Sequence, residues 1–335
     1  MAAMRAIQVK APGADFELVQ KEIPEPKLNE VLIKVEACGI CHGDVLAREG
    51  RFPGISYPRI PGHEVVGVIE RIGTNVVGWN VGQRVGVGWH GGHCFQCSAC
   101  RRGDYWACES SLTTGLSADG GYAEYMTARS EVLSAIPKEL GSVDAAPIIC
   151  AGRTTFGALK GCGAKAGDLV AIHGFGGLGH LAVQYANKMG FRTVVLSRGK
   201  DKEALARKLG AWDYIDTTAG DPAKELRARG GAKTILCTAP NGKTISELLG
   251  GLGRGGEALV ITAPNDPIVI PPFVLLGGGR GIRGWIGGSV DDALEFSTAA
   301  KVTPMVEVFP LEKAKEAFDL MMSAKVHFRA VLKMS

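Results

Sequence analysis

No stretch of this 335-residue chain approaches eighteen uninterrupted apolar residues, the length a membrane-crossing helix needs. The opening MAAMRAIQVKAPGADF also lacks the apolar core of a secretory leader. Neither a membrane partner nor export by a signal peptide is expected. Charge of one sign is equally scarce. The 38 Lys and Arg against 34 Asp and Glu leave a formal +4, with the two signs interspersed. That is too little to hold nucleic acid or an anionic lipid surface, and its main effect is on solubility. There is no internal repeat and no low-complexity run, which excludes solenoids and long disordered linkers. The nine cysteines are odd in number, and four fall between positions 94 and 108. That distribution fits reduced thiols serving metals in a cytoplasmic protein better than a disulfide framework.

What is present divides the chain. At 335 residues with 46% hydrophobic content, two cores are expected. Residues 1 to about 150 read as short strands between Gly and Pro turns: MRAIQV, EVLIKVEAC, HEVVGVIERI, QRVGVGW and GYAEYMTA. From about 165 the pattern alternates strand and helix through LVAIH, LAVQYANKMG, TVVLS, EALARKLGA, YIDT, TILCTA and EALVIT. Such alternation predicts a parallel sheet with helices on both faces. Beyond about 286, DDALEFSTAA and LEKAKEAFDLMMSA read as helices and RAVLKM as a closing strand.

Two motifs carry chemistry on their own spacing. In HGGHCFQCSACRRGDYWACES, Cys94, Cys97, Cys100 and Cys108 can converge on one Zn²⁺ at about 2.3 Å, closing a tetrahedral structural site. A disulfide cluster or unrelated buried thiols are the alternatives. In LVAIHGFGGLGHLAVQYA, Gly174, Gly176 and Gly179, with Gly177 and Leu178 between them, form GxGxxG between an apolar strand and a helix. The glycines allow a tight turn, backbone approach to a pyrophosphate and close helix packing, and the helix N-terminus favours the phosphates. The alternative is a ligand-free turn. At the end of the next strand no acid stands ready for the ribose hydroxyls. Ser197, Arg198, Gly199 and Lys200 occupy the place instead. A hydroxyl and two cations suit a 2′-phosphate, so NADP(H) is favoured and NAD(H) is the alternative, with Arg198 then stacking on adenine and Lys200 solvated. A further set, Cys41, His63 and Cys150, would leave one tetrahedral position open, as in catalytic zinc. Spacing alone cannot join residues so far apart.

The motifs GICHGD, PGHEVVGVIERIG, the four-cysteine loop, the CAG segment and GFGGLGH occur in that order. By them the chain resembles the zinc-dependent medium-chain alcohol dehydrogenases along essentially its whole length. The resemblance implies an α/β fold: a GroES-like β-rich catalytic domain over 1–152 with the structural-zinc loop, a Rossmann doubly wound parallel-sheet coenzyme domain over 153–286, and a return to the catalytic domain over 287–335. It implies two Zn²⁺ per chain, with Cys41, His63 and Cys150 as catalytic ligands and Glu64 as a carboxylate able to enter the coordination shell. Asp44 would orient His63, His42 would contact the coenzyme pyrophosphate, and Trp89 would wall the substrate pocket beside Gly43. Arg329 would approach the coenzyme, or be an ordinary surface arginine. Phe52, Ile55, Tyr57 and Leu112 are further candidate wall residues, or core.

The implied reaction interconverts a small-molecule alcohol with an aldehyde or ketone by hydride transfer, with primary aliphatic or aromatic substrates favoured. The implied assembly is a homodimer or homotetramer joined through GGGRGIRGWIGG. One departure stands out: many relatives carry Ser or Thr where this chain has Gly43, and some carry His where it has Leu46. The hydroxyl relay is therefore absent, and an ordered water in the vacated space is expected to carry the proton, linked to His42 or the coenzyme ribose. Two other readings compete: a zinc-independent enoyl or quinone reductase, against which Cys41, His63, Glu64 and Cys150 argue, and a catalytically altered nucleotide-binding relative, for which Gly43 is the hint. Cys38, Cys162 and Cys237 read as small buried hydrophobes. His90, His93, His173, His180 and His327 have no evident partner set.

Overall fold

A computed structural model describes residues 2–334 and resolves them into two compact units, one running to Cys150 and resuming at Pro304, the other spanning Ala151–Thr303.

The spine of the first unit is the strand Glu30–Ile40, whose EVLIKVEACGI is buried at eight of its positions because β-branched and small apolar residues face both sides. It pairs antiparallel with Val65–Ile72 on one side and Arg329–Lys333 on the other. Across the sheet the order is Val306–Pro310, Arg329–Lys333, Glu30–Ile40, Val65–Ile72, Arg84–Val87 and Leu133–Ala135, with Tyr125–Arg129 also bonded to Glu30–Ile40. The C-terminal strand is thus interior, and its register sets Ala330 opposite Ile40. This brings Arg329 to the end of the strand from which Cys41 emerges. A separate hairpin of Ala3–Val9 and Phe16–Glu22 completes the β-rich unit.

The second unit is a six-stranded parallel sheet in the order Asp213–Asp216, Arg192–Ser197, Leu169–His173, Ala232–Cys237, Leu252–Val260 and Gly281–Gly284. This is the doubly wound order in which the chain reverses direction beside the first strand. All five residues of Leu169–His173 are buried, and the helix Gly179–Lys188 that follows is buried from Gly179 to Ala186.

The domain boundary differs from the expected 286. The helix Val290–Ala300 belongs to this unit because Phe296 packs on Phe156 at 5.0 Å and Ser297 Oγ meets Tyr185 OH at 2.7 Å. Gln184 then fixes the exit by accepting from Thr303 N–H at 3.1 Å and donating to Thr303 C=O at 3.0 Å. No helix among the described residues is long and apolar enough to cross a membrane.

Candidate metal and coenzyme sites

Three distant segments meet at one corner of the first unit. Cys41 follows the central strand, His63 and Glu64 precede the strand Val65–Ile72, and Cys150 sits within the π-helical turn Ile148–Gly152. That turn follows Pro147, which has no N–H to continue a regular α-ladder. Cys41 Sγ lies 3.9 Å from Cys150 Sγ, and Cys150 Sγ lies 3.5 Å from His63 Nε2. A tetrahedral zinc with ordinary bond lengths has edges of about 3.8 Å between sulfurs and about 3.6 Å between sulfur and nitrogen. The donor set therefore fits a metal that these side chains could hold. Glu64 completes a four-residue group whose ligand atoms lie within 4.8 Å of one another.

The surroundings orient each donor. Asp44, 2% exposed, faces His63 Nδ1 at 3.1 Å through Oδ1, which directs Nε2 toward the thiols. Its Oδ2 accepts from the Cys41 N–H and from Tyr122 OH, both at 2.8 Å. The Cys41 thiol is held well below its ordinary value by the hydrogen bond with Cys150, with His63 acting in the same direction against burial. Arg329 donates through one guanidinium nitrogen to Glu64 Oε1 at 2.5 Å and to Ile40 C=O at 3.1 Å. Glu64 Oε2 is buried without a hydrogen-bond partner, and burial raises the Glu64 carboxyl to about 7 in spite of Arg329. Such an orphaned oxygen beside three donors is what a carboxylate within reach of a metal presents. Sequence reasoning missed Tyr122 and Gly39. A Cβ on Gly39 would lie 1.9 Å from Glu64 Oε2, and the legible signal was a glycine inside a strand.

The space beside Gly43, where an ordered water was expected, is narrow. A Cβ there would lie 2.7 Å from Trp89 Cζ3 and 2.9 Å from His63 Cε1. The indole fills the volume, standing edge-on to the His63 ring at 4.8 Å and to Phe52 at 6.3 Å between centroids. Among the other wall candidates, Tyr57 is tied by its OH to Ala47 C=O at 2.6 Å, and Leu112 pairs with Gly92 in a small two-stranded sheet. His42 is exposed on the turn after Cys41.

The four-cysteine loop closes on itself. Cys94 Sγ and Cys100 Sγ are 4.0 Å apart, and the four sulfurs form one group able to hold an ion. Backbone N–H groups of Gln96 and Cys97 point at Cys94 Sγ, that of Cys100 at Cys97 Sγ, and those of Cys94 and Ser110 at Cys108 Sγ. Those of Cys100 and Glu109 lower the Cys97 thiol to about 6. A thiolate so stabilised is the form a metal takes, whereas burial and its neighbouring thiols push Cys100 up to about 12.

In the second unit, Gly174 has φ +95 and Gly179 approaches so closely that its Cβ would sit 2.0 Å from Gly174 O. A Cβ on Gly176 would meet nothing within 4 Å, so the backbone there is open to a ligand. The helix Gly179–Lys188 begins at Leu178 without a side-chain cap, and because its His180 N–H already donates to Gly176 C=O at 3.0 Å, an anion here would meet the glycine turn ahead of the helix. Thr238 braces the turn from the neighbouring strand, donating to His173 C=O at 2.9 Å and lying 3.1 Å from Gly174 C=O. At the next strand end Ser197 is half-buried, while Arg198 and Lys200 are exposed. Lys202, which sequence reasoning passed over, lies 3.4 Å from Phe175 C=O in the glycine turn. Arg329 is buried against Glu64 in the first unit.

A β-rich unit with a three-donor cluster and a cysteine loop, joined to a doubly wound unit with an open glycine turn, defines a medium-chain dehydrogenase. Comparison with known proteins extends this. The family model for the alcohol dehydrogenase GroES-like domain matches residues 27–138, and that for zinc-binding dehydrogenase matches 177–303. The chain is 45% identical over 316 residues to alcohol dehydrogenase notN of an Aspergillus species, covering 93% of this chain and 92% of that one. Among solved structures it is similar to a cinnamyl alcohol dehydrogenase of Sorghum bicolor (TM-score 0.88, 28% identity, covering 99% of this chain and 98% of that one). It is also similar to CAD from Helicobacter pylori complexed with NADP(H) (TM-score 0.87, 25% identity, covering 99% and 98%). The chain belongs to the zinc-dependent medium-chain alcohol dehydrogenase family and is an oxidoreductase of alcohols and aldehydes.

Proposed function

We propose that the protein is a two-zinc, NADP(H)-preferring enzyme that interconverts primary alcohols and aldehydes carrying aromatic or medium-length apolar groups. The observation that carries this reading is the convergence of Cys41 Sγ, Cys150 Sγ and His63 Nε2 at the edge lengths of a tetrahedral zinc. When bound, zinc supplies a Lewis-acid field for the substrate oxygen, and the nicotinamide supplies or accepts the hydride.

The chain's own residues do the rest. Asp44 holds His63 in the tautomer that presents Nε2, and Glu64, restrained by Arg329, stands ready as the carboxylate of the cluster. Trp89 and Phe52 offer an aromatic wall beside it, and the likeness to a cinnamyl alcohol dehydrogenase supports an aromatic substrate. With glycine at position 43 there is no side-chain hydroxyl beside the cluster, and exposed His42, on the turn after Cys41, would pass the proton toward solvent, alone or through the coenzyme ribose. Cys94, Cys97, Cys100 and Cys108 would hold the structural zinc. Gly174, Gly176, Gly177, Leu178 and Gly179 would take the pyrophosphate, and Ser197, Arg198 and Lys200 the 2′-phosphate. The strand Gly281–Gly284 is an edge of its sheet, and in the flanking sequence Phe273 and Ile286 are 84% and 76% exposed. This suits a second copy in a homodimer or homotetramer.

The test is turnover of aliphatic and aromatic aldehydes with NADPH and with NADH on protein whose zinc has been counted. Chelator-sensitive reduction faster with NADPH supports the reading. One zinc per chain with chelator-insensitive turnover favours an enoyl or quinone reductase, and two zincs with coenzyme binding but no turnover favour a catalytically altered relative.

A further inference from the structure

We propose that Tyr214 and Asp216 are positioning residues for the coenzyme, clamping Gly199 so that the loop Ser197–Lys200 is held ready for the adenosine end of the dinucleotide. The identity of the phosphate on that ribose rests on the NADP(H) reading above, but the clamp does not.

The strand Asp213–Asp216 lies at the edge of the parallel sheet, in register with the strand before the loop, with Asp216 beside Ser197. Tyr214 and Asp216 are two residues apart and so project to the same face of their strand. They engage both polar groups of one residue: Asp216 Oδ1 accepts from Gly199 N–H at 2.8 Å, and Tyr214 OH donates to Gly199 C=O at 2.7 Å. Gly199 has φ +70, a conformation that glycine enters freely and as freely leaves. Left alone it would be the loosest joint of the loop, set between the two exposed cations Arg198 and Lys200. Bolted at its N–H and its C=O, it gives both side chains a fixed point of departure.

The clamp is itself braced. Asp216 Oδ1 also accepts from Thr218 N–H at 2.9 Å and Thr218 Oγ1–H at 2.7 Å, and Thr217 N–H bonds back to Ser197 C=O at 3.0 Å. A carboxylate satisfied in this way cannot swing off Gly199 without abandoning several bonds together. Ordering a loop before binding removes an entropic cost from the association, so the effect should appear in coenzyme affinity and leave the chemical step alone.

The experiment titrates NADPH and NADH into zinc-counted wild-type enzyme and the variants Asp216→Ala, Asp216→Asn and Tyr214→Phe, and measures kcat at saturating coenzyme. Asp216→Ala is expected to raise Kd for the coenzyme the wild type prefers by about tenfold and Tyr214→Phe by about threefold, sizes that follow from losing a charged and a neutral hydrogen bond. Asp216→Asn keeps an acceptor oxygen and should stay within about threefold of wild type, with kcat and zinc content unchanged throughout. Kd values within twofold of wild type in both Asp216→Ala and Tyr214→Phe overturn the clamp, as does a fall in kcat with Kd unmoved. If Asp216→Ala does not fold, Tyr214→Phe decides. The wild-type ratio of NADH to NADPH affinity is read separately: a preference for NADH overturns the NADP(H) reading while the variants still judge the clamp.

Discussion

Replacing Gly43 by Ala or Ser tests the claim that Trp89 occupies the place of a side chain at position 43. The backbone at Gly43 is right-handed helical, φ −59 and ψ −24, so any L-residue can adopt it and conformational strain drops out. What remains is contact: 2.7 Å to Trp89 Cζ3 and 2.9 Å to His63 Cε1, against about 3.5–4.0 Å for carbons at rest. His63 is buried and held by Asp44, so the indole must yield. Overpacking of this kind costs about 1–3 kcal/mol, or roughly 2–10 °C in Tm for a unit of this size. Shortening Trp89 removes the obstacle, so Gly43→Ala should be nearly harmless in a Trp89→Leu background. A thermal-melting cycle over wild type, Gly43→Ala, Trp89→Leu and the double variant should give a favourable coupling above about 1 kcal/mol. Simple additivity within about 0.5 kcal/mol would refute the interlock, and the space beside Gly43 would then be open after all.

Zinc content separates the two clusters. Cys97→Ser should lose one zinc and drop Tm by more than about 5 °C, because a closed structural site stabilises its loop directly; Cys150→Ser should lose the other zinc and the activity with a smaller drop, and either variant retaining two zincs counts against the assignment. Tyr122→Phe removes a buried hydroxyl donor to Asp44, so a loss of about 1.5–3 kcal/mol in stability and about 10- to 100-fold in zinc affinity at the Cys41 cluster is expected in denaturation and chelator competition. His173 is pushed by burial to about 4 from its ordinary 6.5. The unfolded chain then takes up the proton first, so its contribution is complete above pH 6.5 and fades as pH falls toward 4. About 3 kcal/mol is lost by pH 4. His173→Phe should flatten that part of the stability profile, and an unchanged slope would place the acid sensitivity elsewhere.

Local chemistry was legible where it was written locally. The cysteine loop closes within a few turns of chain, and the glycine turn sits between the strand and helix whose patterns announce it. The Cys41 cluster was different in kind: its members are brought together by strand pairing and by a π-turn after Pro147, and only the resemblance joined them. The strand Phe16–Glu22 escaped notice because its burial alternates weakly, and the helices Pro222–Ala228 and Gly242–Leu248 because they are short and hold few buried residues. Gly43 shows the deeper limit. A glycine in a sequence marks a missing side chain, and a vacant space is the natural inference; whether the space is vacant depends on what folds against it. Here Trp89, forty-six positions along, supplies the answer. The same reasoning governs Gly39, where the room left by a missing Cβ is taken by the Glu64 carboxylate. Both glycines are therefore best read as one half of a contact, and each of their partners, an indole and a carboxylate, belongs to the site.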